Sequence, residues 1–274
     1  MHQQILSPDL VISFYSGTQF RPAWHHGINL HASAFQFIKL LEQAHLNALN
    51  SENYHLSALR ELLKEFHHSQ TLARNPNFLV ALDLLLTDAA LHYADHLNSG
   101  TINPKTLVKP WEVEKEPLNL IAFSKSLSDN TLGNFYDTLQ PNHPAYKRLH
   151  RLMLLHLSLQ QSYVLPFKDF QKTLIKAGNA HDCIPLIRQC FSLLDNANFD
   201  TTSNKLYDKV LENRIKRFQK AHKTTPNGNI SSNTLGHLTE AMQQRFEKLL
   251  INLERWRWLP NNFGNEYERV NITT

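Results

Sequence analysis

The segment Phe78–Leu97, FLVALDLLLTDAALHYADHL, limits the fold most. Its apolar side chains cover more of a helix than one stripe, so it cannot lie on a surface with a face in water. It belongs at the centre of a domain, with other elements packed around it. Asn75-Pro76-Asn77 breaks the chain and starts this helix. Asn98-Ser99-Gly100 ends it, with Gly100 as the C-cap residue. Two helices precede it. Residues 32–49 place Phe35, Ile38, Leu41, His45 and Leu49 along one stripe, and residues 55–67 do the same with Leu56, Leu59, Leu62, Leu63 and Phe66.

Composition agrees with a helical reading. Only 8 glycines in 274 residues, with a Leu-rich pattern, argue against an all-β fold. A hydrophobic fraction of 42% with 19% charged residues is ordinary for a soluble globular chain, and its length allows one or two domains. No apolar run reaches the length of a membrane span. Met1-His2-Gln3-Gln4 leads directly into patterned sequence, so no signal peptide is expected in this chain.

Between residues 8 and 30, Pro22 sets an extended turn and Trp24 anchors it to the core, an aromatic sugar platform being the sharper alternative. Residues 105–118, with Pro110, Trp111 and Pro117, read as a linker. One or two short helices follow over 119–140, then a turn at Gln140–Pro144 and a long helix over Ala145–Val164. Ile184–Leu194 is a further helix, with Pro185 suited to its first turn.

Lys205–Pro260 is patterned throughout. Leu206, Val210, Leu211, Ile215 and Phe218 recur at helical spacing, and Thr225-Pro226-Asn227-Gly228 breaks that helix. Ser231, Ser232 or Asn233 can cap the next start. From Leu235 the apolar positions 238, 242, 246, 249, 253 and 256 step by three or four, which predicts one long amphipathic helix. The whole chain carries +4, yet Lys205–Pro260 holds 11 Lys/Arg against 5 Asp/Glu, a local +6. Such a patch suits an anionic polymer, whether glycan strands with acidic peptides, teichoic-type polymers or nucleic acid. The plainer reading is a solvated helix face.

Order within these segments carries a resemblance. Ile215-Lys216-Arg217-Phe218-Gln219, then Asn227-Gly228, Ile230 and Thr234-Leu235, resembles the peptidoglycan-binding domain type 1. Asn252-Leu253-Glu254-Arg255-Trp256-Arg257-Trp258-Leu259-Pro260 resembles the junction into the catalytic domain of large scaffold-type L,D-transpeptidases, and Arg269-Val270-Asn271-Ile272 is similar to the first strand of that domain. Phe14-Tyr15 with Arg21-Pro22-Ala23-Trp24, the string Asp83–Ala89, and Pro144-Ala145-Tyr146-Lys147-Arg148-Leu149 resemble their scaffold region. Arg214, Asn227 and Ser231 depart from the binding-domain pattern, standing where a small residue, Asp and Gly are usual.

What the resemblance implies is a mainly α chain. A helical scaffold would span 1–180 and a three-helix peptidoglycan-binding unit 181–240. Residues 241–274 would hold a bridging helix and the truncated start of a catalytic domain. The family's Cys nucleophile lies in a Ser-His-Gly-Cys-type motif, which this chain lacks. No catalytic residue is therefore expected, nor any metal or cofactor. The expected function is to bind or align stem peptides for an absent Cys domain, in the periplasm or cell envelope of the parent protein. Arg217, Gln219, Asn227, Asn229, Ser232 and Thr234 would supply the polar groups of the site. Arg255, Trp256, Arg257 and Trp258 would form an interdomain joint. The expected partner is peptidoglycan, glycan strands and stem peptides, with other cell-wall synthesis proteins as further partners and no nucleic acid. Alternatives are a docking module for cell-wall synthases and a basic-patch nucleic-acid binder. The latter would use two cations interleaved with two rings at 255–258.

Two smaller features need a structure. Cys183 and Cys190 read as buried small hydrophobes rather than a disulfide or nucleophile. His92 and His96, four apart with Asp88 one turn earlier, have metal-compatible spacing but lack an HExxH pattern, and read as a polar edge on a core helix.

Overall fold

The computed structural model describes residues 4–169, 174–196 and 202–261, the side chains of 161–169 excepted. The segment Arg269–Ile272 lies outside the described residues. The chain is mainly helical. Among the described residues the helices are α1 (Pro8–Gly17), α2 (Ala32–Glu42), α3 (Leu56–His68), α4 (Gln70–Ala73), α5 (Pro76–Ser99), α6 (Leu120–Ser128), α7 (Leu132–Leu139), α8 (Pro144–Asp169), α9 (Ile184–Leu194), α10 (Lys209–Ala221) and α11 (Ser232–Arg257). A two-residue hairpin, β1 (His25–His26) with β2 (Asn29–Leu30), lies between α1 and α2. No described helix is long and apolar enough to cross a membrane.

The described residues fall into two compact units. The first takes residues up to Lys147 and returns from Leu253 onward; the second is Arg148–Asn252. These bounds differ from the expected divisions at 180 and 240. The reason is packing: Leu152, Leu155 and Leu159 of α8 belong to the core of the second unit.

In the first unit α5 is the axis. Leu82, Leu85, Leu86, Ala89, Ala90, Leu91, Tyr93, Ala94 and Leu97 are all buried, on more than one face, and α1, α3 and α7 pack against it. Its start follows the sequence: Pro76 opens the first turn, and Asn75 Oδ1 accepts from the backbone N–H groups of Asn77 and Phe78 at 3.0 and 3.4 Å. Its end is Gly100, at φ 84°.

Two buried acids on α5 pin distant backbone to it. The Asp83 carboxylate accepts from the Tyr15 hydroxyl, from Ala23 N–H at 3.1 Å and from Trp24 N–H at 2.9 Å. Trp24 is fully buried and donates its ring N–H to Thr87 Oγ1 at 2.8 Å. Asp88 accepts from Leu6 N–H at 3.0 Å and Ser7 N–H at 2.8 Å, and lies 3.0 Å from His55 Nε2. These hydrogen bonds hold the Asp88 carboxyl below its usual range, although burial alone would raise it.

The returning segment completes this unit. Glu254 Oε1 accepts from Thr101 N–H at 2.5 Å and Ile102 N–H at 2.9 Å, beside Gly100. A Cβ at position 100 would stand 2.5 Å from Glu254 Oε1 and 2.9 Å from Trp258 Nε1, at a φ that L side chains avoid. Gly100→Ala is expected to cost about 2 kcal/mol. An urea midpoint unchanged from the parent protein would refute this account of Gly100.

In the second unit α9, α10 and the first half of α11 enclose Ile184, Ile187, Cys190, Phe191, Leu211, Ile215, Phe218, Leu235, Leu238 and Met242. Single antiparallel bridges, Ile175 with Ile230 and Ala180 with Leu206, tie the loops together. Two expected stripes are corrected. Leu206 and Val210 are 44% and 76% exposed. Here α10 starts only after Asp208, whose side chain accepts from Leu211 N–H at 2.9 Å, so Tyr207 faces the core in their place, while Leu211, Ile215 and Phe218 are buried as expected. The 32–49 stripe also breaks at Glu42, and a 3₁₀ turn over Ala44–Asn47 carries the chain onward.

Candidate functional site

The end of α10 and the start of α11 enclose an open, mainly polar groove of about 350 Å³ in the second unit. Gln219, the last core-facing side chain of α10, organises it. This amide is 4% exposed. Its Nε2 donates to Asn229 O at 2.8 Å and approaches Thr234 Oγ1 at 3.2 Å. Its Oε1 accepts from Gly228 N–H at 2.9 Å. Asn227 Oδ1 accepts from Asn229 N–H at 2.8 Å, a local side-chain turn. The Tyr207 hydroxyl donates to the Gly228 carbonyl, and Gly228 has φ 77°. Ser231 Oγ accepts from Thr234 N–H at 3.4 Å, so Ser231 caps α11.

The groove brings together four of the six expected residues: Gln219, Asn227, Asn229 and Thr234. Gln219 and Thr234 are buried and spend their polar atoms on the turn itself. Arg217 and Ser232 are exposed and do not line the groove. In their place the lining includes Lys223, Thr224, Thr225, Ser231 and Asn233. Lys223, at φ 55°, is the cation of the wall. Its neighbour Thr224 binds back to Gln219 O through both backbone N–H (2.9 Å) and hydroxyl (3.1 Å). The signal for Lys223 was its place at the helix exit, just before Thr-Thr-Pro.

Several of the local cations are paired. Arg214 forks onto Asp195 at 2.5 and 2.6 Å, Glu212 takes Lys209 at 2.8 Å and Lys216 at 2.6 Å, and Lys205 meets Asp182 at 2.7 Å. Both cysteines of this unit are buried free thiols. Burial pushes Cys183 up to about 11 and Cys190 up to about 12, the wrong direction for a thiolate nucleophile.

Arg255–Trp258 belong to the first unit. Arg255 is exposed and Trp256 stacks on His143 with ring centroids 4.5 Å apart. Arg257 is 1% exposed. It donates to the Asn47 carbonyl and lies 3.6 Å from Glu254. Trp258 is buried edge-on to Trp111 at 6.0 Å. Two of these four side chains, Arg257 and Trp258, are thus folded inward.

His92 and His96 are half-buried on α5, a polar edge on a core helix. His92 Nδ1 is 2.8 Å from Ser7 Oγ and His96 Nδ1 is 3.0 Å from Tyr54 OH. Among the described residues no group of three or more His, Cys, Asp or Glu is arranged to hold a metal ion.

The fold and groove define a helical scaffold with a second helical unit that carries an open polar groove. The family model described as Scaffold domain matches residues 9–153, and the chain belongs to that family. No curated protein matches the chain.

Proposed function

We propose that this chain is the non-catalytic, wall-facing part of an L,D-transpeptidase-like protein of the periplasm or cell envelope. The first unit is a scaffold, and the second receives peptidoglycan and aligns stem peptides for cross-linking by a Cys domain elsewhere. The observation that carries this reading is the groove beside Asn227–Asn233. It offers amides, hydroxyls and one Lys223 ammonium around a shallow floor, the chemistry that a peptide carboxylate on a hydroxylated polymer needs. The Scaffold domain match and the inert thiols support it.

Sedimentation with purified sacculi tests it. The chain is expected to co-sediment, and the Lys223→Glu, Asn229→Ala double variant to lose retention by about fivefold or more, the worth of one exposed charge pair with a hydrogen bond. Retention equal to that of a neutral helical control would overturn it.

A further inference from the structure

We propose that the first unit holds a second site, independent of the groove at Asn227: a cavity for a ligand that carries one carboxylate on a body of amides or hydroxyls. The cavity, of about 780 Å³, opens where the end of α1, the loop after it, the start of α2 and the end of α6 meet. Its floor is apolar, with Phe14 and Leu127 both buried. Its walls are polar. Ser124 and Ser128 bring hydroxyls, Gln19 and Asn130 bring amides, and Arg21 and His31 bring a guanidinium and an imidazole. Among the described residues the lining holds no acid.

The loop that carries Arg21 is fixed at both ends. Phe20 N–H donates to the Tyr15 carbonyl at 2.7 Å and Arg21 N–H to the Thr18 carbonyl at 3.3 Å. Just beyond, Ala23 and Trp24 N–H groups are held by Asp83 at 3.1 and 2.9 Å, and Trp24 is fully buried. Pro22 between them has a locked φ. The Arg21-Pro22-Ala23-Trp24 step therefore hangs the guanidinium on backbone that is anchored to α5. The side chains that reach the cavity are nevertheless unspent. Among the described residues, the side chains of Gln19, Arg21 and Asn130 make no hydrogen bond or ion pair, and all three residues are exposed. The nearby acids do not serve them. Asp83, with His25 Nε2 3.7 Å away, lines a neighbouring apolar pocket and not this cavity. Asp129, between two lining residues, also stays out of the lining.

An unpaired guanidinium in a concave polar wall selects an oxyanion, whose two oxygens match its fork of donors. Arg21 is the one permanent charge among the residues of the lining. It balances a carboxylate. A phosphate monoester brings close to two negative charges near neutral pH and leaves one unmatched. An ammonium is rejected, because no acid in the lining meets it. The amides of Gln19 and Asn130 and the hydroxyls of Ser124 and Ser128 both donate and accept, which suits amide or hydroxyl groups on the ligand. Phe14 and Leu127 take a small apolar part such as a methyl group. The volume holds an acylated dipeptide or a sugar acid. Those two sources present the same chemistry.

The test is titration of the full chain, followed by two-dimensional NMR, with two acids and their neutral amides: acetyl-Ala-Ala and its amide, glucuronate and glucuronamide. Glucose 6-phosphate is the fifth probe. The tighter of the two acids is expected to bind with a Kd of about 1 mM or lower, shifting backbone signals around Arg21 and Ser128, and it assigns the site to peptides or to sugar acids. Its amide is expected to bind at least about tenfold more weakly, since it lacks the charge-assisted bond. Arg21→Gln, which removes a side chain without a partner, should weaken that acid by about tenfold and leave the thermal midpoint in place. Ser128→Trp, which fills the cavity from an exposed position, should weaken it to a similar extent. The proposal is overturned by the amide binding as tightly as its acid, or by glucose 6-phosphate binding more tightly than both acids. It is equally overturned by either correctly folded variant binding undiminished, or by no saturable shift around the cavity.

Discussion

Replacing Gln219 with leucine is expected to destabilise the chain by about 3 kcal/mol and to open the turn that shapes the groove. Leucine keeps most of the volume in the core. It leaves the Gly228 N–H without its buried partner and takes one of two bonds from the Asn229 carbonyl, which keeps the Thr234 hydroxyl at 3.3 Å. The orphaned N–H costs about 1–3 kcal/mol, and the bonds lost at Asn229 and Thr234 add on the order of 1 kcal/mol. Gln219→Glu is expected to cost about as much, because the carboxylate retains an acceptor for Gly228 but faces the Asn229 carbonyl with no donor. Lys223→Ala, on the exposed wall, should leave stability within about 0.5 kcal/mol. Amide exchange at Gly228 reads the effect directly. If that amide stays protected in the leucine variant and the urea midpoint holds, Gln219 does not organise the turn.

Acid should weaken the first unit through its half-buried histidines, ahead of the low-lying Asp88. Burial, aided by neighbouring His92 and Arg257, pushes His96 down to about 4. In the unfolded chain a histidine titrates near 6.5. Between about pH 6.5 and 4 the unfolded chain therefore takes a proton that the folded chain refuses, and stability falls as pH falls through that window. Above 6.5 the contribution is complete; below about 4 it has been lost. The expected loss is of order 2 kcal/mol, after allowance for the part of the ring that water still reaches. His92 is lowered too, chiefly by burial, and adds in the same direction. Asp88, held low by its hydrogen bonds, acts below this range, as pH drops under the ordinary aspartate value. His96→Phe should flatten the profile between pH 6.5 and 4.5 while leaving the steeper fall below pH 4. An identical slope in parent and variant, from urea midpoints across that range, would remove His96 as the source.

Much of the helical framework was legible from local signals. For α5 and α9 the sequence held a Pro in the first turn, and α5 also had a glycine stop. The long run of α11 followed from apolar steps of three and four that place Leu235, Leu238, Met242, Leu249 and Leu253 inward. What failed was decided by contacts far apart in the chain. Leu206 and Val210 looked like one stripe with Leu211, but Leu206 pairs with Ala180 in a bridge and the Asp208 cap delays the helix. Spacing alone could not tell that Arg257 enters the core, because its partner is a carbonyl at Asn47. At the groove, motif order found the turn residues but not the direction of each side chain. Arg217 lies on the solvent side of α10, whereas Lys223 reaches the wall only because the chain turns at positive φ. The His25 and Asp83 pair lies 58 positions apart and left no trace in any local pattern.

The return of Leu253–Asn261 to the first unit has a temporal consequence. During synthesis the helical bundle emerges before the second unit, yet it lacks the Glu254 brace at Thr101, the Arg257 tether at Asn47 and the Trp258 cover on Trp111. Those arrive only after the entire intervening unit has left the ribosome. Of the two units, the one begun first is thus completed second, and its closing stitch doubles as a checkpoint that the groove-bearing unit has been made in full.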